Sequence, residues 1–277
     1  MASGAPPGAT ARVAAPAGAE APVRARPLAW RTLAVCLARS YLVGAAFNTR
    51  GMQNVGLCYA MEPALLAIYP DPARLVEART RYARHYNTHP FWTPMLVGIF
   101  LAMERKISRG LFPATMMDGV KGTTIYTLSA IGDSLFGGSV MVLWSLTTII
   151  LLAAGWTGTA VALGVLCFLA LQCFKAATFL MGFQEGLNVL RRFRRWNLIN
   201  WGQRLKVVNG ALLVVFWTQV WPGPILWWQW VAAGGVLGAT AWAVNALGLT
   251  RELVGVVLLA GYLAWPLFLK LLAMVSP

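Results

Sequence analysis

Two histidines four residues apart, His85 and His89, and nine carboxylates are the side chains of this sequence best suited to chemistry. On a helix the H-x-x-x-H spacing would set both imidazoles on one face. Zinc needs a third protein ligand. Pro90, directly after His89, marks the end of any helix there, and Asn87 and Thr88 favour caps and turns. The expected state is a hydrogen-bonded, partly buried polar segment without a metal. Among the carboxylates, Asp133 lies in Ala-Ile-Gly-Asp-Ser-Leu-Phe, directly before a long apolar run. Two compatible readings stand side by side. A carboxylate at membrane depth faces a pathway or a partner, whereas Asp and Ser ahead of an apolar helix cap its amides. Glu62 precedes Pro63. Glu104 precedes Arg105 and Lys106, so a local interfacial ion pair is expected for it. The nucleophile pattern G-x-S-x-G and the phosphate-binding G-x-x-x-x-G-K-[ST] are both absent, and an ATP-driven mechanism has no support. Cys36, Cys58, Cys167 and Cys173 show no C-x-x-C spacing and read as buried free thiols.

The elements that position these residues belong to a membrane. The chain has 277 residues, 58% hydrophobic and 12% charged, with a mean hydropathy of +0.62. A soluble domain is about 25% charged, so too little ionic surface is available here for a water-soluble globule. The net charge of +14, from 23 Lys+Arg against 9 Asp+Glu, fits cationic loops beside a bilayer better than nucleic-acid binding. The expected class is an all-α integral membrane protein. Re-entrant or interfacial helices should fill its N-terminal half, with several transmembrane helices after them.

Residues 1–27 read as a disordered, Ala/Pro-rich cytoplasmic tail without a signal-peptide core. Residues 28–277 read as one membrane domain, with an amphipathic and re-entrant polar core over 28–134 and transmembrane helices over 135–277. Arg31 and Arg39 make the segment from Leu28 to Phe47 interfacial. Residues 48–121 hold both histidines and five of the nine acids. The apolar pieces Leu57–Tyr69 and Phe91–Met103 are too short for a span of about 20 residues. Spans are expected at Leu135–Ala154, from Thr159 toward Leu180, and at Val207–Trp221, Ile225–Val244 and Leu253–Leu272. Trp221-Pro-Gly-Pro224 reads as an interfacial turn. The positive-inside rule puts Arg191–Lys206, Arg105–Gly110, Arg251 and the N-terminus in the cytoplasm, and the C-terminus outside.

Four stretches resemble the IID component of mannose-family sugar phosphotransferase systems. FNTRGMQNVGLCYAMEPALLAIY (Phe47–Tyr69) is similar to that family's S-F-N-[YF]-x-x-M-Q-x-x-G opening. RYARHYNTHPFWTPMLVGIFLAMERK resembles its R-H-x-x-[FY]-[FY]-N-T-x-P block and the Glu-ended helix that follows. SAIGDSLFGG resembles its G-[IL]-G-D-[SA] block, and FLMGFQEGLNVL stands in place of its G-Y-x-x-G segment. The blocks come in family order between Phe47 and Leu190. Departures are Thr49 for an aromatic, Tyr82 where the family has His, His85 for an aromatic, Thr127 to Ser129 for Met-Gly-Pro, and Gly137 for Trp.

The resemblance implies a non-phosphorylated permease subunit of the bacterial cytoplasmic membrane, with no cofactor and no catalytic residue of its own. Its implied partners are a IIC membrane subunit, cytoplasmic IIA and IIB phosphocarriers and a hexose-type sugar, in a trimer of IIC–IID pairs. Neither His85 nor His89 is then a phosphocarrier. A hexose calls for amide and carboxylate partners and an aromatic platform. Asn48, Gln53, Asn87 and Asp133 are the candidates for the polar part, with Phe47, Tyr59 and Phe91 for the rings. Met52, Gly132, Ser134 and Glu104 complete the motif positions. The competing readings are a regulatory or interaction protein keeping the IID scaffold, and an intramembrane transferase using His85 and His89.

Overall fold

The computed structural model describes residues 28–275, apart from Pro222, Pro224, Ile225 and Leu249. The expected tail over 1–27, and the two prolines of the Trp221–Pro224 turn, lie outside the described residues. The protein is an all-α membrane protein. The described chain divides into one unit ending at Phe216 and another starting at Trp217. In the first, α1 (Trp30–Ser40), α2 (Asn54–Ile68) and α3 (Pro72–Tyr82) precede the central helix α4 (Thr93–Ser108). Helix α5 (Met117–Gly132) runs through a π-helical stretch, Asp133–Val140, into α6 (Met141–Ala153). Then come α7 (Thr157–Glu185), α8 (Asn188–Trp196) and α9 (Leu198–Val220). Helix α9 crosses the boundary, and the second unit carries α10 (Trp227–Ala246) and α11 (Arg251–Val275).

Local chemistry sets the boundaries. Asp71 caps α3, its carboxylate accepting from the Arg74 amide at 2.9 Å, with Pro72 in the first turn and Arg79 and Arg81 in the last; each suits its end of the helix dipole. Helix α7 stops at Gly186, whose φ of 58° carries a steric penalty for residues with a β-carbon.

Among the described residues, two helices are long and apolar enough to cross a bilayer: Ala114–Ala153, at 40 residues, and Thr157–Glu185, at 29. Only 17% and 6% of their most apolar windows are buried inside the protein. That outward apolar face suits lipid and excludes the core helix of a soluble fold. At 1.5 Å per residue a helix of 40 residues is about 60 Å long, twice the hydrocarbon thickness of about 30 Å. Its apolar half begins at Leu135, so Asp133 stands where that half starts.

Helix α4 is the opposite case, buried along nearly its whole length. It packs backbone to backbone on α7. A β-carbon at Gly98 would run into the carbonyl oxygen of Phe179, and one at Gly182 into that of Met95. Both obstacles are main chain, so relief requires the helices to separate. Gly98→Ala and Gly182→Ala are each expected to destabilise by about 1–3 kcal/mol, read as a lowered thermal midpoint of the purified protein. Gly44→Ala, facing open space, serves as the neutral control.

Candidate functional site

The first motif block folds as a tight loop. The Asn48 carboxamide oxygen accepts from the amides of Arg50 (3.1 Å) and Gly51 (2.7 Å). Its nitrogen donates to the Met52 carbonyl (3.2 Å) and to Asn54 Oδ1 (3.0 Å). Backbone hydrogen bonds at 2.9 Å close Asn48 onto Met52 in both directions, and Met52 takes a φ of 59°. This loop grips the second block. The Gln53 amide donates to the Tyr86 carbonyl (2.8 Å) and the Tyr86 amide to the Gly51 carbonyl (3.2 Å). Gln53 Oε1 accepts from the Thr88 amide (3.3 Å), and Asn54 Nδ2 donates to the Ala83 carbonyl (2.5 Å).

That grip shapes the histidine segment. Helix α3 ends at Tyr82 and residues 85–89 are non-helical, where main-chain pairing with 51–53 takes the place of further helix. His85 is exposed and His89 half-buried, so the two do not share a helical face. Asn87 is exposed beside them.

The third block packs on the other side of the same segment. Gly132 lies so close to His89 and Trp92 that a β-carbon would overlap both side chains. The Phe136 ring stacks on His89 with centroids 5.3 Å apart, and meets Phe91, Trp92 and Phe174 edge-on at 5.0, 5.2 and 5.6 Å. The Lys175 ammonium stands 5.1 Å from the Phe91 ring. Phe47 and Tyr59 lie apart from this cluster and are exposed, Tyr59 under the Arg39 guanidinium at 4.3 Å.

Asp133 is not an N-cap. The helix is continuous from Met117 through Ala153, so Asp133 and Ser134 have no open turn to cap. The wide turn that begins at Asp133 is instead tied to α9. Ser139 Oγ lies within reach of the carbonyls of Ser134 (2.9 Å) and Gly202 (3.0 Å), which share its one hydrogen. Asn209 Nδ2 donates to the Ser139 carbonyl (2.9 Å), and Lys206 Nζ lies 3.4 Å from Ser134 Oγ. π-Helical turns cost backbone hydrogen-bond geometry and recur at functional sites. Asp133 itself is exposed, without a hydrogen bond or ion pair among the described residues.

Burial lowers the His89 pKa; the Asp133 carboxylate opposes this and the Lys175 ammonium adds to it. The unfolded chain takes up that proton near the ordinary value of about 6.5, and the folded site only at lower pH. The unfolded state therefore binds more protons in that window, so stability is complete above it and falls as pH drops through it. The thermal midpoint is expected to fall between pH 7.5 and 5.5, and His89→Gln to remove part of that fall. An equal fall in the variant would locate the titration elsewhere.

Glu104 pairs with Arg81, not with its chain neighbours Arg105 and Lys106. Residues one and two positions away on a helix point to other faces, while α3 brings Arg81 across. Arg81 Nε and Nη2 donate to the two carboxylate oxygens at 3.0 and 2.7 Å. The Tyr69 and Tyr82 hydroxyls donate to them at 2.7 Å each. Glu104 is fully enclosed. Burial pushes both tyrosine hydroxyls well above their ordinary pKa, with the Glu104 charge adding to it. Lys121 Nζ donates to the Arg81 carbonyl. No short-range motif announces Arg81, Tyr69, Ser139 or Asn209, whose partners Glu104, Gly202 and Ser139 lie 23 to 70 residues away.

A pair of long, outward-facing apolar helices beside a buried polar core defines an all-α membrane protein. Residues 28–215 match the model of the PTS system mannose/fructose/sorbose family IID component. The chain belongs to that family. It is 29% identical over 161 residues to the mannose-specific EIID component of Escherichia coli (strain K12), covering 55% of each chain. It is 30% identical over 102 residues to the fructose permease IID component of Bacillus subtilis (strain 168), covering 36% of this chain and 37% of that one. The matches thus span about half, or less, of these relatives. In fold it is similar to a chain of the mannose transporter ManYZ solved with microcin E492, with a TM-score of 0.51 at 21% identity, over 72% of this chain and 73% of that one. A second solved membrane protein gives 0.60 at 20% identity, over 86% and 98%.

Proposed function

We propose that this chain is one half of a phosphoenolpyruvate-driven sugar permease. It pairs with a IIC-type subunit, and a hexose-type sugar moves between the two to be phosphorylated by a IIB protein. Asp133 carries this reading: an exposed carboxylate that starts an apolar span, without a hydrogen bond or ion pair among the described residues, calls for a partner outside the chain. The neighbouring His89, Lys175 and Lys206 give the position hydrogen-bonding character, and Phe91 and Phe136 give it ring surface. Asn48 and Gln53 act differently on this account. The Asn48 carboxamide shapes its own loop and the Gln53 carboxamide oxygen accepts from the Thr88 amide, so both position the site, and Asn87 is an exposed amide open to a sugar or to IIC. The proposed setting is the cytoplasmic membrane with the N-terminus inside, in a trimer of IIC–IID pairs. The test is co-expression with a IIC subunit encoded beside it. Co-purification of the two, with sugar uptake that needs both, is the expected result. A chain that purifies alone and transports nothing with that IIC contradicts the pairing.

A further inference from the structure

The last turn of α4 and the end of α7 enclose a cavity of about 220 Å³, lined by Arg105, Lys106, Arg109, Phe183, Gln184 and Gly186 among others. Its acid, Glu185, is already engaged by Arg192 at 2.8 Å. The Arg105 guanidinium carbon stands 5.1 Å from the Phe183 ring centroid. With one face so covered, its Nε is enclosed and has no hydrogen-bond partner among the described residues. Burial and the Arg109 guanidinium both lower the Arg105 pKa from its ordinary value. Lys106 Nζ lies 3.9 Å from where a β-carbon on Gly186 would sit, a position that the glycine leaves open.

The carbonyl end of α4 accounts for cations gathering there. It does not account for an enclosed guanidinium N–H without an acceptor, which costs stability if left unmet. Helix α8 starts two residues beyond Gly186. It packs Val189 and Phe193 into the core of the protein and leaves Arg191, Arg192 and Arg195 exposed, a row of cations beside the cavity that suits an anionic membrane surface.

We propose that this cavity binds the phosphate group of an anionic lipid headgroup. Arg105 offers the directed N–H donors that suit a phosphate oxyanion, and Lys106 the point charge. Among the described residues no carboxylate or carbonyl accepts from the Arg105 Nε, and a zwitterionic headgroup brings its own cation into a site already crowded with them. The assignment stands independently of the sugar-permease reading.

The experiment is native mass spectrometry of the full chain, released from detergent micelles containing either phosphatidylglycerol or phosphatidylcholine, with inorganic phosphate as a competitor. Wild type is expected to retain one phosphatidylglycerol and no phosphatidylcholine. Arg105→Gln and Lys106→Gln are each expected to weaken retention about tenfold, the scale of one lost charge-assisted contact. Arg195→Gln, an exposed cation outside the cavity, should retain the lipid fully. Because Lys106 is exposed, its variant decides the matter if Arg105→Gln does not fold. Displacement by inorganic phosphate would support the site and show that a soluble phosphate also fits. Equal retention of both lipids, or phosphatidylglycerol retention unchanged in both cavity variants, overturns the proposal.

Discussion

Glu104→Gln is expected to destabilise the protein by about 3–5 kcal/mol, the cost of stripping a buried charge of its partner. Arg81 keeps only 13% of its side chain exposed, so the orphaned guanidinium has little water to turn to. The two tyrosine hydroxyls, both donors to the carboxylate, would meet an amide offering a single oxygen. Tyr82→Phe removes one hydrogen bond to a charged group and should cost less, about 1.5–3 kcal/mol. The pair Arg81→Met with Glu104→Leu should cost much less than the sum of the single changes, because both charges then leave together. Thermal unfolding of the purified variants gives the ordering. Additive effects, or a Glu104→Gln loss no larger than that of Tyr82→Phe, would show that the pair is not the fastener between α3 and α4.

Asp133→Asn should behave in the opposite way. The side chain is exposed and has no hydrogen bond or ion pair among the described residues, so stability should stay within about 0.5 kcal/mol of wild type. On the proposed reading, sugar uptake by the assembled permease should nevertheless fall more than tenfold, about 1.4 kcal/mol or more of lost interaction. Measuring uptake and sugar affinity together separates the roles. Lost affinity places Asp133 on the sugar path, whereas lost co-purification places it against IIC. Unchanged uptake removes it from both.

Much of this was legible in the sequence. Hydropathy located the hairpin from Leu135 to Leu180, since a long apolar run ended by Gly155 leaves little choice. The 13-residue apolar pieces lie in α2 and α4, helices of 15 and 16 residues. What the sequence could not display was partnership across long separations. Glu104 seemed bound to its neighbours because periodicity says nothing about which helix faces another. Asn87, Thr88 and Pro90 signal that the histidine segment leaves the helix, but its hydrogen bonds to residues 51–53 have no local signature. Asp133 seemed a possible cap because the π-helical turn that carries the helix through it is held from α9, by Gly202 and Asn209. The glycines of the fourth block became intelligible only with α4 in place: Gly182 admits the Met95 carbonyl, and Gly186 turns the chain at positive φ.

The proposed function reduces to dependence on a second membrane chain. Membranes carrying this chain together with its neighbouring IIC subunit should be assayed for phosphoenolpyruvate-dependent sugar phosphorylation, with the soluble phosphocarriers added. Activity that requires both membrane chains, and vanishes when either is omitted, is the predicted result. Full activity from IIC without this chain would contradict the account.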